Sequence, residues 1–314
     1  MLVLMSTLVE SRAPAGRVRI AHVERTFATK EDARTVLRDV TLDVAAGEII
    51  AVVGPSGCGK STLLRLIGGL DAPSAGAITL DDESVEAHDD STAMAFQEPR
   101  LLPWRTIAQN VALGLPRGTR GRTAKARVAE LLELVGLTHA ADQRPREVSG
   151  GMAQRASLAR ALARSPRVLL LDEPFGALDA LTRLQMHDLL LDIHRAEPST
   201  IVLVTHDVEE ALYLADRVLM LRNLHAVGAQ TDRPRARVVA LGSSSGMGAL
   251  GSASTHERAA ETPATDRPST GSIARLVPVP GARPRDRGAR SFTDLRTSLL
   301  EGLGVHKLTI KENA

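Results

Sequence analysis

The sequence predicts an α/β fold, and three apolar runs are the main evidence. The runs, at 49–53, 168–171 and 200–204, are short, apolar and partly β-branched, as is typical of strands buried on both faces of a sheet. The first and third each lead, through a few glycine or polar residues, into a helical pattern. Ligands of open α/β sheets collect at the carboxyl ends of the strands. The chemistry-bearing residues are therefore expected there.

The first run leads into a glycine-rich loop, Gly54-Pro55-Ser56-Gly57-Cys58-Gly59-Lys60-Ser61-Thr62, and then into a helix. This order of strand, loop and helix is the context that a phosphate-binding loop needs, and it disfavours a chance glycine turn. Backbone N–H groups and the helix N-terminus would hold the β-phosphate. We expect Lys60 to reach the β- and γ-phosphates and Ser61 to hold Mg²⁺. Cys58 is either a reactive thiol or, as we favour, a tolerated filler at a variable position of the loop.

The second run ends in two carboxylates, Asp172 and Glu173, and Pro174 then stops the strand. A strand-end aspartate beside a phosphate loop can anchor the magnesium shell. Glu173 is then placed to polarise a water molecule for attack on the γ-phosphate. Without the phosphate loop, an ordinary acidic turn would be the preferred interpretation.

The third run ends at Thr205-His206-Asp207, ahead of a helical pattern over 208–215. A single histidine is usually a surface residue or a hydrogen-bonded core residue. Its position at a strand end favours a functional role for His206, which could bond the γ-phosphate and orient the attacking water.

A second glycine pattern, Glu147-Val148-Ser149-Gly150-Gly151-Met152-Ala153-Gln154-Arg155, lies between the first and second runs. Ser149 is a candidate N-cap for a helix over 152–163. The N–H groups of that helix would point at a phosphate across a dimer.

These motifs, taken in order, resemble the ATP-binding subunit of an ABC transporter. The order is the phosphate loop, Gln97, the Ser149-Gly150-Gly151 motif, Asp172-Glu173, Asp179 and His206. The resemblance covers about residues 17–222 and resumes near 271–304. The segments 96–104 and 205–212 most resemble the branch that imports nitrate, sulfonate or taurine.

The resemblance implies roles at matching positions. Gln97 would sense the γ-phosphate and Mg²⁺. The Ser149-Gly150-Gly151 motif would contact the ATP held by a second copy of the chain, and Asp179 would belong to a loop crossing that interface. Phe27 stands where the family has an aromatic residue that stacks on adenine, although a core phenylalanine is the alternative. The groove near Gln97 and Trp104 would receive a helix of the membrane subunit.

The resemblance also implies the organisation of the chain. It predicts a phosphate-loop ABC ATPase core with an antiparallel β subdomain and a helical subdomain that carries the second glycine pattern. We expect an N-terminal tail (1–16), an ATPase core in two pieces (17–96 and 166–222), the helical subdomain (97–165), and a closing strand and helix (271–314). Residues 223–270 are expected to be an insertion at a hairpin tip, disordered by default; a flexible regulatory arm, a recent insertion and out-of-frame sequence are the alternatives for its origin.

Composition limits the function in other ways. The formal net charge of +2 does not argue for nucleic acid. No run approaches the ~18 apolar residues that a membrane span needs, and the first residues do not form a convincing secretion signal. One cysteine excludes an internal disulfide and fits a reducing compartment.

We therefore predict an ATPase that energises an ABC importer at the cytoplasmic face of the membrane. Its cofactors would be ATP and Mg²⁺. Its partners would be a second copy of itself, two membrane permease subunits and, indirectly, a solute-binding protein. One alternative is a soluble ABC ATPase of DNA repair or translation, although the chain lacks the coiled coil or second cassette usual there. The other is a regulator without hydrolysis, which the presence of Lys60, Asp172, Glu173 and His206 disfavours.

Overall fold

The computed structural model describes residues 14–28, 33–85, 90–224 and 271–304. The strands are β1 Val18–Ala28, β2 Ala33–Val44, β3 Ile49–Val53, β4 Ala75–Leu80, β5 Glu83–Ser84, β6 Thr92–Ala95, β7 Val168–Asp172, β8 Thr200–Val204, β9 Arg217–Leu221 and β10 Ile273–Pro278. The α-helices are α1 Lys60–Ile67, α2 Ile107–Ala112, α3 Gly121–Leu134, α4 Gly150–Leu162, α5 Ala180–Ala196, α6 Val208–Leu214 and α7 Arg290–Gly302. Single 3₁₀ turns occur at Thr138–Ala140 and Pro145–Glu147.

The strands form two sheets. The larger has six strands in the order β10-β9-β3-β8-β7-β6, parallel except for β10. The smaller has four strands in the order β2-β1-β4-β5, all antiparallel. The three apolar runs of the sequence are β3, β7 and β8, which are adjacent in the larger sheet. The predicted α/β fold is thus confirmed, and its three functional strand ends meet at one edge.

Strand β3 separates two hydrophobic cores, because successive side chains of a strand point to opposite faces. Ile49, Ala51 and Val53 pack into a core with apolar residues of α2 to α7. Ile50 and Val52 pack into a second core with α1 and the antiparallel sheet. All five side chains are buried, which explains why the run is apolar throughout instead of alternating.

Helices α2, α3 and α4 and both 3₁₀ turns follow one another between residues 97 and 165. Helix α4 begins directly after Ser149, whose side chain accepts a hydrogen bond from the backbone N–H of Met152 at 3.2 Å. The N-cap predicted at Ser149 is therefore confirmed. This bond satisfies one of the N–H groups that a helix N-terminus leaves free.

The last strand closes the larger sheet. Strand β10 pairs antiparallel with β9, and the backbone N–H of Arg222 donates to Ser272 O at 2.9 Å. Apart from residues 223 and 224, the predicted insertion 223–270 lies outside the described residues, and so do residues 1–13 of the predicted tail. No helix in the described part of the chain is long and apolar enough to cross a membrane.

Candidate nucleotide-binding and catalytic site

The glycine-rich loop wraps from the end of β3 to the start of α1. Gly59, the residue before α1, has φ +101°, a conformation that glycine adopts without strain. A Cβ at this position would stand 2.6 Å from Leu37 Cδ2 of β2. The pattern therefore needs glycine here for two reasons, a left-handed turn and a close approach by a neighbouring strand.

Lys60 and Cys58 are both held inside this loop. The Lys60 ammonium donates to Gly54 O at 2.8 Å and to Pro55 O at 3.3 Å, so the charge lies within the curve of the loop. The Cys58 side chain is 1% exposed, and burial raises the pKa of its thiol. Because the thiolate is the reactive form, this burial favours the interpretation of Cys58 as a small filler residue over that of a reactive thiol.

Ser61 and Asp172 meet at the end of α1 nearest the loop. The Ser61 hydroxyl donates to Asp172 Oδ1 at 2.9 Å, which joins the phosphate loop to the end of β7. A hydroxyl and a carboxylate are the oxygen ligands that Mg²⁺ accepts, and Mg²⁺ commonly takes its other ligands from water and substrate phosphates. These two residues therefore fit the predicted magnesium site.

Glu173 and His206 form a pair beside this position. His206 Nδ1 lies 3.2 Å from Glu173 Oε2, and the imidazole is the donor because an ionised carboxylate can only accept. The Glu173 backbone has φ +47°, which is uncommon for a residue with a Cβ, and its N–H donates to Val204 O at 2.9 Å. This left-handed residue ends the parallel pairing of β7 with β8.

Gln97 lies close to this pair. A Cβ added at Gly176 would stand 3.2 Å from Gln97 Nε2 and 3.6 Å from His206 Cε1. Gly176 is itself bonded to the Glu173 carbonyl through its N–H at 3.2 Å. The structure thus brings Gln97, Glu173 and His206 together around one small residue.

Two residues of α4 that were not predicted as site residues, Gln154 and Arg160, hold the segment that carries Gln97. Gln154 Nε2 donates to Phe96 O at 3.0 Å, and Gln154 is buried. Arg160 donates to Pro99 O at 2.7 Å and to Arg100 O at 2.8 Å, and burial lowers the pKa of its guanidinium. The segment 96–100 is therefore tied to α4 on both sides of Gln97.

A groove of mixed apolar and charged character lies against the same segment. It has a volume of 430 Å³, and its lining includes Phe96, the two exposed leucines Leu70 and Leu113, and the charged side chains of Asp90, Arg117, Arg160 and Arg164. Trp104, 67% exposed, does not line this cavity and stands on a neighbouring loop. The buried side chain of Asn110 shapes that loop by accepting from Leu102 N at 2.7 Å and donating to three of the loop's carbonyls.

The second glycine motif lies beside the N-terminus of α5. A Cβ at Gly151 would stand 2.6 Å from Thr182 Cγ2, and the N-cap of α5 is Asp179, whose carboxylate accepts from Thr182 N at 3.0 Å. Leu181, in the first turn of α5, is 66% exposed. Among the described residues, no hydrogen bond joins Ser149, Gly150 or Gly151 to the phosphate loop. Ser149, Gly150 and Asp179 are exposed to solvent, whereas Gly151 is buried against the first turn of α5.

Phe27 lies near the end of β1 with 38% of its surface exposed, so it is not a core residue. The Arg25 guanidinium covers the ring at 4.3 Å from its centroid, and Arg25 is also paired with Asp71 at 2.7 Å. An aromatic ring held by an ion-paired arginine and open to solvent can stack on a planar base.

Comparisons with known proteins agree with this geometry. Residues 37–176 match the family described as ABC transporter. The chain is 52% identical over 201 residues to the aliphatic sulfonates import ATP-binding protein SsuB of Albidiferax ferrireducens, covering 64% of this chain and 70% of the relative. It is 48% identical over 233 residues to the protein of the same name in Burkholderia ambifaria, covering 73% of this chain and 70% of the relative.

Solved structures of ATP-binding cassettes share the fold. A dimeric, post-hydrolysis state of the cassette MJ0796, bound to ADP and Pi, has a TM-score of 0.59 at 33% identity, covering 66% of this chain and 96% of that chain. The cbiO1 structure from Clostridium perfringens, part of the ABC transporter complex cbiONQ, has a TM-score of 0.60 at 25% identity, covering 68% and 91%.

Proposed function

Since this chain belongs to the ABC transporter family of ATP-binding subunits, we propose that it hydrolyses ATP to drive the import of aliphatic sulfonates. The observation that carries the catalytic part is the pair formed by Glu173 and His206 beside a complete phosphate loop. The similarity to proteins named for sulfonate import supports the solute class and disfavours a role in DNA repair or translation.

The phosphate loop would bind the triphosphate of ATP. Its backbone N–H groups and the N-terminus of α1 favour negative charge, and Lys60 adds a full positive charge inside the curve. Ser61 and Asp172 would hold Mg²⁺, with Gln97 as a further oxygen donor from the facing segment. The ion would neutralise charge on the phosphates when bound.

The Glu173 carboxylate would accept a proton from the attacking water. His206 holds this carboxylate through its Nδ1–H and would place its other ring nitrogen towards the γ-phosphate. The Gln97 carboxamide and the His206 ring both lie close to Gly176, which supports a role for Gln97 beside the same reacting atoms. General-base help of this kind contributes ~10²–10⁴ to the rate.

Two copies of the chain would complete each site. Ser149, Gly150 and Asp179 are exposed, as is Leu181, and within the described part of the chain no hydrogen bond joins the motif to the chain's own phosphate loop. In a head-to-tail pair, the N-terminus of α4 from one copy would meet the γ-phosphate held by the other. ATP would then act as part of the dimer interface.

The groove beside Phe96 would receive a helix from a membrane permease subunit. Its two exposed leucines offer apolar contacts to such a helix. Phe96, which also lines the groove, belongs to the segment that carries Gln97. Movement of a permease helix would thereby reach the catalytic carboxamide. We propose a peripheral location at the cytoplasmic face of the membrane, with two permease subunits and a solute-binding protein completing the importer.

Two measurements test the proposal. The purified chain should hydrolyse ATP in a Mg²⁺-dependent manner, and the Lys60→Ala variant should not. Disruption of the gene in the organism that encodes it should prevent growth on an alkanesulfonate as sole sulfur source but not on sulfate, and only the wild-type gene should restore growth. Normal growth of the disrupted strain on every sulfonate tried would reject the solute class while leaving the ATPase assignment intact.

A further inference from the structure

Strand β2 runs along the phosphate loop and approaches it at two points. At the inner point, the position of a Cβ on Gly59 lies 3.1 Å from Val36 Cγ1 and 2.6 Å from Leu37 Cδ2. At the outer point, the position of a Cβ on Gly57 lies 4.0 Å from Arg34 Nη2. A register shift in the pairing of β1 with β2, between Arg25 opposite Leu37 and Thr26 opposite Thr35, interrupts the alternation of side chains here, so Val36 and Leu37 both approach the loop, as does Arg34.

Arg34 is the direct cross-strand partner of Phe27. The register of β1 and β2 pairs Phe27 with Arg34 and the preceding residue, Thr26, with Thr35. The two threonine hydroxyls lie 3.0 Å apart, which confirms that paired residues share a face here. Opposite residues of an antiparallel pair have Cβ atoms ~5 Å apart, so the Arg34 and Phe27 side chains leave the sheet side by side.

The two arginines next to Phe27 differ in their partners. Arg25 covers the ring and is neutralised by Asp71 through two hydrogen bonds at 2.9 and 2.7 Å. Arg34 is exposed, and no carboxylate among the described residues pairs with it. A guanidinium is always charged and presents a fork of donors that fits phosphate oxygens.

We propose that Arg34 binds the α-phosphate of the nucleotide, as a binding residue supplied by the antiparallel sheet. The assignment rests on ATP binding as proposed above. The β- and γ-phosphates occupy the phosphate loop and the base lies on Phe27, so the α-phosphate must pass between them. Arg34 borders both, through Gly57 on one side and Phe27 on the other. The Arg34 guanidinium would thus bind the α-phosphate, whereas Lys60 binds the β- and γ-phosphates.

The test is a set of affinities measured by calorimetry with Mg-ATP and Mg-ADP. Arg34→Ala should weaken both nucleotides by the same factor, about three- to tenfold, since both carry the α-phosphate and an exposed charged pair gives a modest gain. Arg34→Lys should recover part of the loss, because it keeps the charge but not the fork. The KM for ATP should rise while kcat stays unchanged, as for a contact made equally in ground and transition states.

Arg19→Ala is the matched control, because Arg19 is also an exposed arginine of this sheet but is paired with Asp82. Its nucleotide affinities should equal those of the wild type. Unchanged affinities in Arg34→Ala, or a loss confined to ATP, would overturn the assignment to the α-phosphate. Absence of ATP binding by the wild type would instead reject the proposed function, so the two failures are distinguishable.

Discussion

Glu173 stands out among the residues of the site because its backbone is in the left-handed region, with φ +47°. A left-handed conformation costs a residue with a Cβ about 1–3 kcal/mol, and it persists only where neighbours enforce it. Here the hydrogen bond from Glu173 N to Val204 O fixes the residue to β8, and His206 fixes its carboxylate. The neighbouring residue, Asp172, accepts a hydrogen bond from Ser61 of the phosphate loop, so the left-handed Glu173 lies next to the loop with its carboxylate held by His206. Residues in such strained conformations cluster at active sites, which supports the catalytic interpretation over an ordinary acidic turn.

Replacing Glu173 with Gln should preserve ATP binding and reduce kcat by ~10²–10⁴, the usual contribution of a general base. The amide keeps the size of the side chain but cannot accept the proton of the attacking water. Single-turnover hydrolysis and ATP affinity of the purified variant give the measurement. Glu133→Gln, on the exposed face of α3, is the control and should behave as the wild type. Hydrolysis within a few-fold of normal in Glu173→Gln would remove Glu173 from the role of base.

Cys58 should be inert in the folded protein despite lying in the active loop. Its side chain is 1% exposed and burial raises the pKa of the thiol, so the reactive thiolate is scarce at neutral pH. We expect negligible modification by N-ethylmaleimide at pH 7, and full modification after unfolding in guanidinium. Rapid labelling of the native chain, followed by mass spectrometry, would show that the loop opens readily.

At the scale of elements, helix α4 connects the Ser149-Gly150-Gly151 motif with the segment 96–100. Its N-terminus carries the Ser149 motif, and its later turns hold the segment 96–100 through Gln154 and Arg160. If a nucleotide of the partner copy displaced α4, as proposed above, the helix would pull on the segment that carries Gln97. Phe96 of that segment lines the groove proposed for a permease helix, so α4 would connect the two proposed contacts.

Arg160→Ala should disturb this connection and spare the nucleotide site. Two carbonyls, of the half-buried Pro99 and the exposed Arg100, lose their donor, and since water can replace it in part the cost in stability is about 1 kcal/mol. We expect ATP affinity to change little, the melting temperature to fall and the ATPase rate to drop because Gln97 is less well placed. Arg164→Ala is the control in the isolated chain, since Arg164 forms only an exposed pair with Asp90. Equal ATPase rates for both variants would contradict the linkage.

Part of this arrangement could be predicted from the sequence, and part could not. The buried strands, the phosphate loop and the N-cap at Ser149 are local patterns, in which each residue type follows from its immediate neighbours. The hydrogen bond from Arg160 to the Pro99 carbonyl joins residues that are 61 positions apart in the sequence. Because every residue has a backbone carbonyl, no sequence pattern predicts which one an arginine will bind. The approach of Arg34 to Gly57 likewise depends on how β2 packs over the loop, which periodicity does not encode.

At the scale of the whole molecule, the Ser149 motif should serve the partner's nucleotide. In a Glu173→Gln background, Ser149→Arg should still bind ATP as a monomer but fail to dimerise, because the large side chain obstructs the shared interface. Loss of the N-cap alone costs about 0.5–2 kcal/mol, so Ser149→Ala controls for the weakened helix. Light scattering with ATP should show dimers for Ser149→Ala and monomers for Ser149→Arg. A stable dimer of the arginine variant would contradict the composite site.

The connection between β9 and β10 should be replaceable by a tight turn. Leu221 pairs with Ile273, and Arg222 N donates to Ser272 O at 2.9 Å, so the two chain ends already stand at hairpin distance. Ser272 must be kept, because its backbone N–H and its hydroxyl also bond Arg38 of β2 and thereby join the two sheets. Deleting 223–270 and joining Arg222 to Gly271 through Asn-Gly gives a turn whose twist suits paired strands.

The shortened chain should fold and bind ATP with unchanged affinity. The entropic cost of closing a loop varies slowly with its length, so the free energy of unfolding should rise by at most about a few kcal/mol. The control replaces 223–270 with a Gly/Ser linker of equal length, which tests the residues of the segment separately from its length. Melting temperature and ATP affinity decide the outcome. If both variants lose stability or nucleotide binding, the segment contributes contacts to the fold and the insertion hypothesis is wrong; if only the Asn-Gly variant does, the strand ends need a longer connection than a hairpin turn.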